Sequence, residues 1–497
     1  MNVNMNKALV PVIIGLSILL GASGMYVGMN LIGNGEAAPV IEQTNDDGTY
    51  SDEVDEQPTI ADVNQSDIEK FTAAYEIILE RYVEEIDSQK LVEGAISGML
   101  GTLEDPYSVY MDESTAQEFM ESLDSSFEGI GAEVSMTNGR VTIVAPFRDS
   151  PAERAGIRPN DQVIEVDGED IEGLSLYEAV LKIRGEKGTT VTLTIQRPGV
   201  NELLELDVVR DTIPIETVLS EVVEENGKTI GIIELRSFSE NTAQRFEEEL
   251  VALEEQGIEG LIIDVRGNPG GFLQSVEDIG NLIIPGGEPV VQIENRNGER
   301  MRHISNLEEV KPYPIVGLIN EGSASASEIL AAALKEAGGY DIVGKTTFGK
   351  GTVQQSLRMG DGSEIKLTLY RWLTSAGNNI NEEGVEPTVE VSQPEYFYVS
   401  PIVVNEEESL TLDMTSDHIG NAQIMLGGLG FNPGREDGYF SQETEAAVRE
   451  FQTEMGIDVT GEIDHKTAEL LQVELINTIQ GREHDLQLKK ALELLTE

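Results

Sequence analysis

The chain has 497 residues, with 91 Asp and Glu against 33 Lys and Arg, a formal charge of -58 and no cysteine. That charge repels polyanions and excludes nucleic acid as a partner, while the missing cysteines exclude disulfides and thiolate metal sites. A chain this long holds several domains, and acid spread along most of it reads as a solvated, salt-tolerant surface.

Ala8 to Gly33 is uncharged, follows Lys7 and precedes Glu36, Asp46 and Asp47. With a rise of about 1.5 Å per residue, such a run crosses a hydrocarbon core of about 30 Å, and the flanking charges put the rest of the chain outside the cytoplasm. We take 1–34 as an uncleaved transmembrane anchor; the competing reading is a cleaved signal segment, with small residues at Gly21 to Gly24 and at Ala37 and Ala38. Residues 35–65, acidic and carrying Pro39 and Pro58, read as a linker. In 66–115, Ile68, Phe71, Tyr75, Ile78, Leu79 and Tyr82, then Leu91, Ala95, Met99 and Leu103, recur at helical spacing. Two amphipathic helices are expected, packed on a partner, and Asp105-Pro106-Tyr107-Ser108 breaks the second.

Residues 127–198 hold short strands and one strong helix, Leu176 to Arg184, with turns at Asn138-Gly139 and Asp167-Gly168. The stretches F-E-G-I-G-A-E, S-P-A-E-R-A-G-I-R-P-N-D and V-I-E-V-D-G resemble a PDZ domain, bounded at 116–206. The resemblance implies that Ile130 and Gly131 form a loop whose amides receive a peptide's C-terminal carboxylate while the peptide adds a strand.

From 207 to 400, strands at Lys228 to Leu235, Leu261 to Val265, Pro289 to Ile293 and Ile315 to Ile319 accompany helices at Ser239 to Gln256 and Gln274 to Leu282. This predicts a mixed α/β sheet with its site at the strand ends. Gly339 to Thr346 fits the phosphate-loop spacing G-x4-G-K-T, but it follows a helix and contains a strand, the reverse of what such a loop needs. No clustered His and carboxylate set suggests a metal, and neither metal nor cofactor is expected. His303 is the histidine of this stretch and keeps a Ser-His-Asp arrangement as a competitor.

Glu321 to Glu328, E-G-S-A-S-A-S-E, joins an apolar strand to the apolar helical run Ile329 to Ala337. Ser325 and Glu328 fit a capping box, in which hydroxyl and carboxylate satisfy the helix's free amides. A second stretch, F-G-K-G-T-V-Q-Q, sets Lys350 between two glycines with no acidic neighbour, a setting for a lysine desolvated against another backbone. A serine hydroxyl needs a base within reach, and a desolvated lysine serves as one. Ser325, Lys350 and Gln354 then read as nucleophile, base and orienting amide. The Ala326 amide, and the glycines of D-V-R-G-N-P-G-G (Asp264 to Gly271), would hold an oxyanion.

Together, G-S-A-S-A-S-E, F-G-K-G-T-V-Q and D-x-R-x-N-P-G-G resemble the motifs of the carboxyl-terminal processing, or tail-specific, proteases. The resemblance implies a Ser-Lys serine peptidase with Ser325 as nucleophile, Lys350 as general base, Gln354 as orienter, and oxyanion donors at Gly271, Gly270 and Ala326. It further implies that the helices of 66–115 contribute to a homodimer, and that Arg184 links bound peptide to an active arrangement of the protease. Taken on its residues alone, Arg184 complements the end of its own helix.

After a connector at 401–415, residues 416–472 hold three short helices, with Ala447, Val448 and Phe451 on one face of the middle one, and resemble the peptidoglycan-binding domain of cell-wall enzymes. Residues 473–497 form a charged amphipathic tail of unassigned role. The expectation is a multidomain α/β protein: N-terminal helices, a PDZ β-domain, a mixed α/β protease core and a small three-helix C-terminal domain. Its work is that of a membrane-held, extracytoplasmic endopeptidase acting on protein or peptide C-termini, with peptidoglycan as a second partner. The rival is a catalytically silent, wall-bound PDZ scaffold.

Overall fold

The computed structural model describes residues 64–497 except 124–125, 138, 148–149, 175, 199, 201, 406–407 and 480. The expected anchor and nearly all of the expected linker lie outside the described residues, among which no helix is long and apolar enough to cross a membrane. Asn64 and Asp87 accept first-turn amides of α1 (Gln65–Arg81) and α2 (Ser88–Gly101), so both helices begin at a side-chain cap. Neither helix buries a residue, and Phe71, Tyr82 and Met99 are at least half exposed. β1 (Val109–Met111), α3 (Glu113–Leu123) and β2 (Ser126–Gly129) follow.

The expected PDZ region runs β3 (Ala132–Thr137), β4 (Arg140–Pro146), α4 (Pro151–Arg154), β5 (Gln162–Val166), β6 (Glu169–Asp170), α5 (Leu176–Ile183), β7 (Thr190–Gln196) and β8 (Leu204–Val209). These strands pair antiparallel in the order β3-β4-β5-β7-β8, with β6 on β5, over a core that includes Ile143, Val191, Leu193 and Ile195. β2 pairs with β9 (Asp211–Pro214), so the chain enters and leaves this sheet through one two-stranded ribbon.

The core continues as β10 (Val218–Glu225), β11 (Lys228–Leu235), α6 (Thr242–Glu255), β12 (Gly260–Asp264), α7 (Leu273–Ile283), β13 (Pro289–Asn295), β14 (Arg300–Ile304), β15 (Ile315–Ile319), α8 (Ala326–Glu336), β16 (Asp341–Gly344), β17 (Thr352–Arg358), β18 (Glu364–Leu373) and β19 (Val389–Glu390). One sheet has the order β10-β11-β12-β15-β16-β19 and is parallel from β11 onward. Unbroken apolar runs such as Leu261-Ile262-Ile263 suit strands covered on both faces. A second, antiparallel sheet places β18 between β17 on one side and β1 and β13 on the other, with β14 beyond β13.

Helices α6, α7 and α8 cover one face of the parallel sheet through Phe246, Val276, Ile279, Ile329 and Leu330. α9 (Asp417–Gly428), α10 (Gln442–Glu454) and α11 (His465–Ile479) close a separate core around Phe440, Val448 and Phe451. α12 (Leu486–Thr496) then returns to the parallel sheet, laying Leu488, Ala491, Leu492 and Leu495 on Ile232, Ile262, Val316 and Leu318. The stretch set apart as a tail is thus divided: α11 runs on to Ile479, and α12 covers the second face of the protease sheet because its apolar residues recur at helical spacing.

Candidate active site

Ser325 stands between β15 and α8 with φ 54° and ψ -112°, a backbone region that strains any residue bearing a Cβ. Its side chain is fully buried, and Oγ has no hydrogen-bond partner among the described residues. The anticipated capping box is therefore only half made. Glu328 accepts the Ser325 N–H at 2.8 Å, while the serine hydroxyl caps nothing.

Glu328 also reaches the lysine loop. The oxygen Oε2 that takes Ser325 N–H takes Lys350 N–H, again at 2.8 Å, and Oε1 accepts Gly349 N–H at 2.7 Å and the Thr347 hydroxyl at 2.6 Å. One buried carboxylate thereby clamps the two loops that sequence reasoning paired. Burial pushes its carboxyl above the ordinary range despite these four donors.

Lys350 is fully buried; its carbonyl accepts the indole N–H of Trp372, the chain's single tryptophan, at 2.7 Å. Its Nζ lies over the Tyr107 ring, 4.5 Å from the centroid. Tyr107 comes from the Asp105-Pro106-Tyr107-Ser108 turn, whose Ser108 hydroxyl donates to Asp105 at 2.6 Å and accepts the Thr368 N–H at 3.0 Å. Burial works against the Asp105 charge, but donors from Ser108, Thr368 and Tyr107, with Lys350 nearby, hold its carboxyl below the usual range. Gln354 Nε2 donates to the Thr352 and Thr368 hydroxyls, each at 2.9 Å, which leaves its buried Oε1 as an acceptor without a partner among the described residues.

Gly270 and Gly271 lie in the loop after β12, at φ 107° and 145°. A Cβ on Gly270 would stand 2.8 Å from the Ser325 Cβ, and one on Gly271 would stand 2.1 Å from the Phe238 carbonyl oxygen. Only glycines let this loop lie against the serine. Asn268 governs it: Oδ1 accepts Gly270 N–H at 2.8 Å, Nδ2 donates to the Leu235 carbonyl at 2.8 Å, and its own carbonyl accepts Ala324 N–H at 3.0 Å and the Ser327 hydroxyl at 2.8 Å. The Gly270 amide is therefore already committed. Those of Gly271 and Ala326 donate to no acceptor among the described residues.

In the PDZ-like sheet Ile130 is buried and Gly131 has φ 73°, where a Cβ would stand 2.6 Å from that of Ser150. Their amides likewise donate to no acceptor among the described residues. The guanidinium of Arg184 lies 4.9 Å from the ring centroid of Phe127, on the β2–β9 ribbon. At the end of α5, Arg210 donates to the Ile183 carbonyl at 2.8 Å and to that of Lys182 at 3.1 Å. His303 is held by Glu277 at 3.2 Å and Asn281 at 3.4 Å, both on α7, and Gly339 to Thr346 contains β16 as expected of a decoy. Sequence reasoning missed Tyr107, Asp105, Trp372 and the second half of Glu328's work. A lone tryptophan and a D-P-Y-S turn were the available signals, and neither says what it touches.

A buried serine without a capping bond, beside open amides, is equipment for acyl transfer, and the class it defines is the serine hydrolases. Family comparison is more specific. Peptidase family S41 matches residues 229–391, a PDZ domain 129–208, a peptidoglycan binding domain 415–471, and the Activating protease CtpB N-terminal domain 18–115. The chain is 48% identical over 495 residues to Carboxy-terminal processing protease CtpB of Bacillus subtilis (strain 168), across 99% of both chains. It is 40% identical over 435 residues to Carboxy-terminal processing protease CtpA of the same organism, across 88% of this chain and 91% of that one. Among solved structures it is similar to a photosystem II D1 C-terminal processing protease, at 28% identity and TM-score 0.40, covering 66% of this chain and 94% of that one. The chain belongs to the carboxy-terminal processing proteases, and is a serine-type peptidase.

Proposed function

We propose that this peptidase works outside the cytoplasm through Ser325 and Lys350. Ser325 Oγ attacks the scissile carbonyl while a neutral Lys350 Nζ takes its proton, and the Gly271 and Ala326 amides hold the oxyanion. The lysine returns the proton to the leaving amine. Water then attacks the acyl-enzyme, giving a carboxylic acid and free Ser325. Gln354 Oε1, the open acceptor, would take a hydrogen bond from Lys350 and aim it; the Gly270 amide, given to Asn268, is left out of the donor set. The observation that carries this reading is the single Glu328 oxygen that receives the backbone amides of both Ser325 and Lys350, at 2.8 Å each.

In the same reading, Ile130 and Gly131 take the substrate's C-terminal carboxylate, and Arg184 senses it through Phe127 on the ribbon. Residues 1–34 anchor the chain in the membrane, the bundle of α9 to α11 binds peptidoglycan, and a second copy covers the apolar faces of α1 and α2. The domain limits follow the sequence, except that α12 is counted with the protease core. The test is cleavage of an unstructured protein by the full chain. Ser325→Ala and Lys350→Ala each lose several orders of magnitude; wild-type activity persists in chelator and rises with pH as the base becomes neutral. Wild-type rates from Lys350→Ala would overturn the assignment.

A further inference from the structure

The bundle of α9 to α11 is spliced into the protease at a junction that the oxyanion loop shares. Arg266, the first half of that loop, donates to both oxygens of Asp264 and to both oxygens of Asp485, the latter at 3.0 and 2.8 Å. Asp485 is the residue before α12 and caps it by accepting Leu488 N–H at 2.9 Å. Gln393, on the outgoing chain, donates to Asp485 at 2.6 Å and accepts Leu486 N–H at 3.0 Å, while Gln487 accepts from Arg266 at 3.1 Å and donates to the Val391 carbonyl at 2.9 Å. The chain leaving for the bundle and the chain returning from it therefore meet at Asp485 and Gln487, the two residues that also hold the Arg266 guanidinium. Burial works against the Asp485 charge, but Arg266 holds its carboxyl below the usual range.

We propose that Asp485 is a positioning residue for catalysis: through Arg266 it sets the oxyanion loop, so that the segment returning from the bundle completes the peptidase site. From Arg266 the setting passes to Gly267, whose N–H donates to Asn320 at 2.8 Å, then to Asn268, which grips the nucleophile loop at Ala324 and Ser327. Gly271 lies three residues further on. The inference rests on the reading above, in which the Gly271 amide stabilises the oxyanion. Asp485 touches no reacting atom, so its loss should appear in the transition state and not in substrate capture.

The experiment uses the full chain, a quenched-fluorescent unstructured peptide with a free C-terminus, and a peptide boronate built on the bond that wild-type products reveal. Asp485→Ala lowers kcat about a hundredfold, the scale of a misplaced catalytic group, and weakens boronate binding by the same factor, with KM unchanged. Asp485→Asn, of the same shape, carries the test if the alanine variant fails to fold, and shows the same paired loss to a smaller degree. Wild-type kcat and boronate affinity in the folded variants, or a change in KM alone, overturns the inference while Ser325→Ala stays inert. If Ser325→Ala cleaves like the wild type, the reading beneath has failed and the inference falls with it.

Discussion

Ser325 occupies a backbone region that costs about 1 to 3 kcal/mol for a residue bearing a Cβ. It stays there because Glu328 holds its amide and the Gly270 loop lies against its Cβ. A glycine at this position loses the hydroxyl but also the strain, which outweighs the about 0.5 to 1 kcal/mol that glycine usually costs through chain entropy. Ser325→Gly should therefore melt at a higher temperature than Ser325→Ala by calorimetry, with both variants inactive. Equal melting points, or a lower one for glycine, would mean that the strain is relieved elsewhere.

At the level of elements, β14 is tied to α7 by the ion pair of His303 with Glu277. Burial disfavours the charged imidazole, but the hydrogen bond and charge of Glu277, with Asp278 nearby, carry its pKa above the ordinary 6.5. A raised value means that this contribution to stability is complete below about pH 6.5 and is lost as pH climbs through the folded-state value. The melting-temperature gap between wild type and His303→Gln should be widest near about pH 6 and shrink towards about pH 9; a gap that widens with pH would contradict the pairing. Elements whose signal is local were readable from sequence alone. β11 and β15 lie where their β-branched runs put them, and α6 and α7 follow their apolar periods to within a few residues. β18 was not anticipated, because Glu364 to Leu373 mixes Lys, Thr, Tyr and Arg, and its partners lie in three separate stretches of chain. The pairing of the Ser325 and Lys350 loops was legible because each motif is contiguous; Tyr107 over Lys350 was not, because that contact joins residues from distant parts of the chain.

Over the whole molecule, the charge of -58 is a standing repulsion among surface carboxylates. Salt shortens the reach of that repulsion from about 30 Å at 0.01 M to about 3 Å at 1 M, so the melting temperature should rise as sodium chloride is added over that range. A fall would show that attractive surface pairs outweigh the excess of acid. Asp485 and α12 give the molecule a further property, one of time. Both follow the bundle in the chain, so a ribosome must finish α9 to α11 before the residue that grips Arg266 and the helix that covers the second sheet face exist. On the proposal made for Asp485, a growing chain would reach its full cleavage rate only after that residue had been made, and one stopped before it would cleave about a hundredfold more slowly.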